Sequence, residues 1–413
     1  MLRIQTNFYL MSIETLTAAI LGKMSGVNKW RQVFLTHLFR LFLSIRGRYT
    51  FLSAERYGVF GEMAYRQNFK RPHDWSTFNY HLIMQSTANE RFNVFDPSYL
   101  SKSGKHTPGV GWHWSGCAGK AKWGLEIGAF SVVDVANHTA MHLVAQQTLK
   151  EAVEQHKSLL EYYGSLVEHQ ADMLLKISTF LVVDAYFSRR PFVEKVLNCN
   201  IHLITRLRDD SVLFYPYLGA QREGRGRHKK FAGRVDVRNL SEEHFTPCAC
   251  DDQDGIAYEG RLWIKAWKRW AKVVVVHQKD EQGNLKNIKL YASTLETMHG
   301  ADLWLYYKAR FQSEFLFRDA KQHTGLEHCQ SRKPEALEFH FNASLTAVSI
   351  AKTLHWLNLP VEQRGAFSMA DIKTRYFNEL MLERFFIAYG LNPHHAKNHH
   401  AYKSLSEFGR IAA

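Results

Sequence analysis

The spacing of apolar side chains changes twice along the 413 residues of the chain. In the first part, residues 29–45 place Val33, Phe34, Leu38 and Leu41 at helical intervals, which predicts an amphipathic helix. Shorter helices are predicted over residues 51–57, 62–69 and 75–85. We therefore expect the N-terminal part of the chain to be all-helical.

The second part begins near residue 92 and is typical of a sheet with helices packed on it. Apolar runs predict strands over residues 92–95, 122–133, 139–144, 179–183 and 201–205. Helical spacing recurs over residues 157–175 and 191–197. Strands interleaved with helices in this order predict a mixed α/β sheet flanked by helices.

The third part starts with a segment of different character, residues 208–297. A β-branched run at residues 273–276 and a turn at residues 280–284 predict a mostly β module there. After the module, residues 302–321 contain neither Gly nor Pro and predict one uninterrupted helix. Two further helices are predicted over residues 336–357 and 375–389.

The charge balance indicates a polyanionic partner. Lysine and arginine number 53 against 39 aspartates and glutamates, which gives a formal net charge of +14. The positive residues concentrate in two basic zones, residues 29–71, which include Arg66, and residues 222–234, which include Lys229 and Lys230. The first zone is compatible with a helix-turn-helix laid into a DNA groove and equally with a helical hairpin that has a solvated basic face.

Four polar residues of the predicted helix over residues 302–321 stand at a long, asymmetric spacing. They are Tyr307, Arg310, Glu314 and Lys321. At about 100° per residue they would fall within about 60° of one another on a single helix face. Such a stripe is compatible with helical salt bridges on a solvated surface and also with a functional site.

This spacing, Tyr-x2-Arg-x3-Glu-x6-Lys, resembles the Y-R-E-K motif of DDE transposases of insertion-sequence family four. The resemblance implies an RNase H-like catalytic core with two aspartates upstream of Glu314. Asp184, which follows an apolar strand, matches the second aspartate, and Asp96 matches the first. Asp134 is the rival for the first position, but the fold needs two further strands and a helix between the aspartates, and only Asp96 leaves room for them.

The resemblance also implies the roles of these residues. Asp96, Asp184 and Glu314 would hold two Mg²⁺ ions, with Mn²⁺ as a substitute, because hard cations take oxygen ligands and a metal pair promotes phosphodiester cleavage. Tyr307, Arg310 and Lys321 would contact the DNA at the transposon end. Arg66, Lys229 and Lys230 are the further candidates for DNA binding.

The β module matches the position of the insertion domain in this family. Its tryptophans Trp263, Trp267 and Trp270 alternate with lysines and arginines, which suits base stacking and also a packed hairpin with a tryptophan core. Related enzymes use an insertion-domain tryptophan in forming a DNA hairpin, so hairpin ends are a further implication of the resemblance.

The expected organisation follows from these parts. We expect a helical DNA-binding domain over residues 1–88, a catalytic core over residues 89–207 and 299–360, a β insertion over residues 208–298, and a C-terminal helical segment and tail over residues 361–413.

The expected activity is cut-and-paste transposition by a homodimer that binds the inverted repeats of its own element and a target DNA. The alternatives are a transposase-derived repressor that no longer cuts and a generic RNase H-like nuclease. His37 and Arg40 interrupt the best apolar run, residues 33–45, and the N-terminus shows no leader pattern, so we expect a cytoplasmic, nucleoid-associated protein without a membrane span.

Overall fold

The computed structural model describes residues 11–221, 223–250, 255–359, 365–392 and 400–411. The N-terminal helices have side-chain caps at four of their five N-termini, where Ser12, Asn28, Thr50 and Asp74 accept hydrogen bonds from the first turn. The helices are α1 (Ile13–Leu21), α2 (Lys29–Ser44), α3 (Phe51–Tyr57), α4 (Glu62–Phe69) and α5 (Trp75–Ser86). The helices predicted over residues 29–45, 51–57, 62–69 and 75–85 are confirmed within one residue at each end.

The next segment forms six strands and three helices. The strands are β1 (Arg91–Ser101), β2 (Gly111–Ser115), β3 (Lys120–Asp134), β4 (Thr139–Gln147), β5 (Phe180–Val183) and β6 (His202–Arg206). The helices are α6 (Lys150–Val153), α7 (Leu159–Ile177) and α8 (Arg190–Asn198). The predicted elements are present, and β2 is an additional strand that the apolar pattern does not reveal.

The rest of the described chain adds six strands and then five helices. The strands are β7 (Leu213–Pro216), β8 (Phe231–Arg234), β9 (Thr246–Cys248), β10 (Gly255–Ile264), β11 (Arg269–Lys279) and β12 (Leu285–Ser293). The helices are α9 (Gly300–Ala309), α10 (Gln312–His323), α11 (Pro334–Asn358), α12 (Met369–Ala388) and α13 (His400–Ser406). None of the helices in the described ranges has the length and apolarity needed to cross a membrane.

All twelve strands belong to one mixed sheet, in the order β2-β3-β1-β5-β6-β12-β11-β10-β7-β8. Strand β4 pairs with β3, and β9 pairs with β10. The strands β1, β5 and β6 run parallel to one another, whereas the pairs of the hairpins are antiparallel. The predicted mixed α/β fold with flanking helices is confirmed, and the arrangement is consistent with an RNase H-like core.

Strand β1 is longer than the predicted strand. It was expected to end at Asp96, but it continues to Ser101, because its antiparallel pairing with β3 extends from Arg91↔Asp134 to Ser101↔Gly124. Asp96 therefore lies inside a strand, opposite Ala129. The prediction of a strand-terminal aspartate at this position is wrong.

The prediction of one uninterrupted helix over residues 302–321 is also wrong. Arg310 and Phe311 form a turn between α9 and α10, in which backbone hydrogen bonds tighten to three-residue spacing, as in Phe311 N–H to Lys308 C=O and Ser313 N–H to Arg310 C=O. Both turn residues keep right-handed helical angles, so neither Gly nor Pro marks the break. The 60° fan calculated for a continuous helix does not apply across this turn.

The outer side of β4 is covered by polar side chains rather than by another strand. The buried amide of Asn342 on α11 accepts a hydrogen bond from the Ala145 N–H and donates one to the Ala145 carbonyl, both at 2.8 Å. Ser349 Oγ accepts from the His142 N–H, Lys352 Nζ donates to the Ala140 carbonyl, and Asn79 of α5 donates to the Leu143 carbonyl. These bonds satisfy backbone groups that an exposed edge strand would leave open.

Replacing Asn342 by alanine is expected to destabilise the protein by roughly 2–4 kcal/mol. The substitution leaves the Ala145 N–H and carbonyl buried without partners, which costs about 1–3 kcal/mol for each group. Urea unfolding of the variant measures the change. Asn287→Ala, on an exposed part of β12, is the matched control and should shift stability by less than about 0.5 kcal/mol. Equal stability of the two variants would contradict this account.

Candidate active site

Asp96 and Asp184 lie side by side because the parallel strands β1 and β5 are neighbours in the sheet. Strands β1 and β5 pair with Asn93 opposite Leu181 and Val94 opposite Val182. Two residues further along each strand, the same register sets Asp96 beside Asp184. Strand β5 ends at Val183 whereas β1 continues to Ser101, so the two carboxyl groups lie beside the C-terminal end of β5.

Asp184 is fixed by its own backbone and by its neighbours. It follows the last residue of β5 and caps a 3-10 turn over Ala185–Phe187, where its Oδ1 accepts a hydrogen bond from the Tyr186 N–H at 2.9 Å. The Asp184 carbonyl accepts from Thr205 Oγ1 of β6 at 2.7 Å. These bonds hold the carboxylate at the C-terminal end of β5.

Glu314 is linked to Asp96 through Arg310. The Arg310 guanidinium lies 4.0 Å from Asp96 Oδ2 and donates a hydrogen bond to Glu314 Oε1 at 3.2 Å. Arg310 occupies the turn between α9 and α10, and Glu314 is in the first turn of α10. We call Asp96, Asp184 and Glu314 the carboxylate cluster.

Tyr307 and Lys321 border the carboxylate cluster from the same two helices. The Tyr307 ring packs against Tyr291 of β12 with centroids 4.7 Å apart, and the Arg310 guanidinium lies 5.7 Å from the Tyr307 centroid. Lys321 Nζ donates to the carbonyl of Tyr99 on β1 at 2.7 Å. The structure thus gathers all four residues of the Tyr-Arg-Glu-Lys motif with Asp96 and Asp184, although they do not lie on one continuous helix face.

The family model described as the transposase DDE domain matches residues 127–350, more than half of the chain. The chain belongs to this family. The matched segment contains Asp184 and Glu314 and begins after Asp96. A search of curated proteins gives no match. The protein is therefore a DDE transposase, a class of enzyme that acts on DNA and depends on divalent metal ions.

Burial and several neighbouring charged groups of the transposase affect the pKa of Asp96. Burial of the Asp96 carboxyl raises its pKa to about 7; Arg310 and Lys321 lower this pKa, whereas Asp184 and Glu314 raise it. Burial also raises the pKa of Asp184, although hydrogen bonds from Tyr186 and Phe187 and the charge of Arg310 lower it. Asp184 and Glu314 therefore both lie within electrostatic range of Asp96.

The basic and phenolic residues of the site are also perturbed by burial. Burial lowers the pKa of Lys321, while the carboxyl groups of Glu327 and Asp96 and the thiol of Cys117 raise it. Burial raises the pKa of Tyr307, and the charge of Arg310 lowers it. Perturbed pKa values of several neighbouring groups are typical of functional sites.

The carboxylate cluster has the donor chemistry that a hard divalent ion prefers, because all of its members offer carboxylate oxygens. Like charges brought together in this way need a counter-charge, and Arg310 supplies one between Asp96 and Glu314. In this arrangement, no three His, Cys, Asp or Glu residues in the described ranges come close enough to hold one ion together. Joint coordination by the cluster would require Arg310 to move away from its two carboxylates.

Asp134, the rival candidate, has a different position and different partners. It ends β3 opposite Arg91 and is fully buried. Its carboxylate accepts hydrogen bonds from the Ala88 N–H at 2.8 Å and from the Asn137 N–H at 3.1 Å. Asp134 is thus engaged in closing a loop, as Asp commonly is at turns.

The three remaining candidates lie on other elements. Arg66 on α4 pairs with Glu62 and packs over the ring of Phe51. Lys229 Nζ lies 4.5 Å from the Tyr217 centroid, and Lys230 Nζ lies 3.2 Å from the Trp263 centroid.

Within the described chain, the structure gives none of the three a contact with the carboxylate cluster. Sequence reasoning also missed Tyr99, whose carbonyl orients Lys321. A backbone acceptor of this kind has no sequence signal.

The stability of the metal-free transposase should fall as pH rises from about 4 to about 7. Asp96 in the unfolded chain loses its proton near pH 4, whereas the folded protein retains that proton until about pH 7, so folding takes up a proton between these pH values and becomes less favourable as the pH rises through them. The contribution is at most about 4 kcal/mol. Urea unfolding with a chelator at pH 5 and pH 8 should show a smaller change for Asp96→Asn than for the wild type.

The control for this measurement is Asp172→Asn, which removes an exposed carboxylate on α7. It should keep the pH dependence of the wild type. If Asp96→Asn also keeps the pH dependence of the wild type, the pKa of Asp96 in the folded protein is not raised, and this account is wrong.

Proposed function

We propose that this transposase belongs to insertion-sequence family four and moves its own element by cutting and joining DNA at the terminal inverted repeats. The observation that carries the proposal is the convergence of Asp96 and Asp184, from parallel strands in register, with Glu314 linked to Asp96 through Arg310. The spacing of Tyr307, Arg310, Glu314 and Lys321 supports the choice of family.

In this proposal the carboxylate cluster holds Mg²⁺, for which Mn²⁺ can substitute. A bound metal pair would lower the pKa of the attacking water or 3′-hydroxyl and stabilise the leaving oxygen. The members of the carboxylate cluster would determine where the metal ions bind. Asp96 and Asp184 fix one side of the site on the sheet, and Glu314 approaches from α10.

Arg310 and Lys321 are the proposed phosphate contacts. The guanidinium of Arg310 is planar and forked, so it can exchange the oxygens of Asp96 and Glu314 for two oxygens of a phosphate. Lys321 presents a single positive charge that the Tyr99 carbonyl orients. Tyr307, packed beside Arg310, would limit the directions in which the guanidinium can swing and would contact the DNA end.

The DNA outside the cleavage point would be held by the two basic zones. Arg66 on α4 is exposed at the N-terminal helices, and Lys229 and Lys230 are exposed beside the strands of the β module. We place the helical DNA-binding domain at residues 1–88, the insertion at residues 208–298 between core segments 89–207 and 299–360, and a C-terminal segment at residues 361–413. Strand β12 pairs with β6, so the strands of the proposed insertion continue the core sheet.

Joining two ends of one element requires two active sites, so the proposed working form is a homodimer on DNA. We further propose a nucleoid-associated location and a hairpin intermediate at the element ends. In the hairpin β10–β11, Trp263 and Trp270 face each other with centroids 5.4 Å apart, next to Lys230 and Arg261. Trp267 instead is buried and donates to the Ser188 carbonyl.

Glu314→Gln should lower the rate of metal-dependent strand cleavage by more than about a hundredfold and leave DNA affinity nearly unchanged, because it removes a proposed metal ligand while preserving shape. The substrate is a plasmid that carries the gene with its flanking DNA, incubated with Mg²⁺ or Mn²⁺. Glu335→Gln, which alters an exposed glutamate in the first turn of α11, is the control and should cleave like the wild type.

The same assay separates the proposal from its rivals. A wild-type protein that binds the flanking DNA without cutting it is a repressor, and one that cuts without joining 3′-ends to a second DNA is a nuclease. Undiminished cleavage by Glu314→Gln would remove the proposed role of the carboxylate cluster.

Removing charge at Arg66, Lys229 and Lys230 together, with glutamine at each position, should weaken binding to duplex DNA and make it less sensitive to salt. Each lost phosphate contact is expected to reduce the slope of log affinity against log salt by about 0.9. Binding titrations over a range of salt concentrations measure the slope. The control pair, Lys150→Gln and Lys157→Gln, alters exposed lysines near α7. An equal slope in both variants would refute the assignment of the basic zones.

A further inference from the structure

The hairpin formed by β2 and β3 exposes three tryptophans. The relative accessibility is 71% for Trp112, 64% for Trp114 and 39% for Trp123. Trp112 pairs directly with Trp123 across the hairpin, with ring centroids 5.9 Å apart and planes at 76°. Large aromatic rings grouped in this way on a surface indicate a binding site rather than a scattered surface hydrophobe.

The three indoles share a sheet face with Asp96. Side chains alternate along a strand, and Trp123 stands six residues before Ala129, the residue opposite Asp96, with no register shift between the two. Trp112 lies opposite Trp123, and Trp114 is two residues further along β2. The hairpin therefore continues the face of the carboxylate cluster along β3.

The hairpin is anchored to the side of the site. Tyr99 Oη donates to the Trp123 carbonyl at 2.7 Å, and Trp123 Nε1 donates to the Gly104 carbonyl at 3.0 Å. The backbone carbonyl of the same Tyr99 accepts a hydrogen bond from Lys321 Nζ. Cys117, in the turn that joins β2 to β3, lies close enough to Lys321 to affect the pKa of that lysine.

The positive charge around the β2–β3 hairpin indicates which kind of ligand it binds. Residues 97–125 contain no aspartate or glutamate and four lysines, Lys102, Lys105, Lys120 and Lys122. Lys120 and Lys122 are exposed on β3, on the face opposite to the three tryptophans, and Lys122 lies over the Tyr99 ring. Exposed tryptophans in a segment of positive charge suit unpaired bases and attract the phosphates between them. A second copy of this chain, with a formal net charge of +14, would meet like charge there.

We propose that the β2–β3 hairpin binds a single-stranded segment of the DNA end, with bases stacked on Trp112 and Trp114. This inference rests on the proposed function and adds a second binding element beside its active site. Trp123, fixed by two hydrogen bonds, acts as the support for Trp112.

The test compares two DNA probes of the same duplex sequence, one blunt and one with a single-stranded thymidine overhang, in the presence of a chelator. Trp112→Ala combined with Trp114→Ala should lose about tenfold or more in affinity for the overhang probe and keep its affinity for the blunt duplex. Replacing both residues by phenylalanine should restore most of the affinity, because phenylalanine retains a stacking face. Phe385→Ala combined with Tyr389→Ala, which removes exposed rings on and just after α12, is the control.

The outcomes separate this inference from the proposed function. If the wild type cleaves its plasmid substrate and the double alanine variant binds the overhang probe equally well, the hairpin inference is wrong and the proposed function stands. If the double alanine variant changes self-association in sedimentation without changing DNA affinity, the surface is a protein interface, which also overturns the inference. A wild type that neither binds nor cuts DNA refutes the proposed function itself. Phenylalanine variants that bind as weakly as the alanine variants would exclude stacking.

Discussion

The parallel pairing of β1 with β5 is the constraint on which the site depends. The register that sets Val94 opposite Val182 also sets Asp96 beside Asp184, so the backbone of the sheet, rather than a loop, brings two like charges together. Backbone pairing is more rigid than a loop, which allows it to hold an electrostatically unfavourable pair. Burial and neighbouring carboxylates raise the pKa of Asp96 to about 7, and Arg310 opposes that rise.

The rest of the fold keeps this sheet in place with little local freedom. Helix α11 forms hydrogen bonds to the backbone of β4 through the side chains of Asn342, Ser349 and Lys352. Strand β4 pairs with β3, which in turn pairs with β1. Polar side chains thus replace a neighbouring strand at the edge of the sheet. Because a helix can satisfy these groups only at one register, the position of α11 relative to β1 is specified as well as stabilised. Helix α10, which carries Glu314, precedes α11 in the chain.

Sequence reasoning succeeded where one period dominates a segment, as in α2 and β3. It failed where tertiary contacts decide the geometry. The turn at Arg310 and Phe311 has no Gly or Pro, because both residues keep helical angles and only the hydrogen-bond spacing changes. Strand β1 passes through Asp96 because β3 continues to pair with it, which a local pattern cannot reveal.

The position of Arg310 links the binding of metal to the binding of DNA on the proposed assignment. Its guanidinium neutralises Asp96 and Glu314, so a divalent ion held by those two carboxylates competes with it for the same oxygens. Once displaced, the guanidinium is a buried cation without its counter-charges, a costly state that a phosphate would relieve. Each ligand therefore favours the other, and this reciprocity is a coupling free energy. The turn at residues 310 and 311 places the arginine where it can serve both partners in succession.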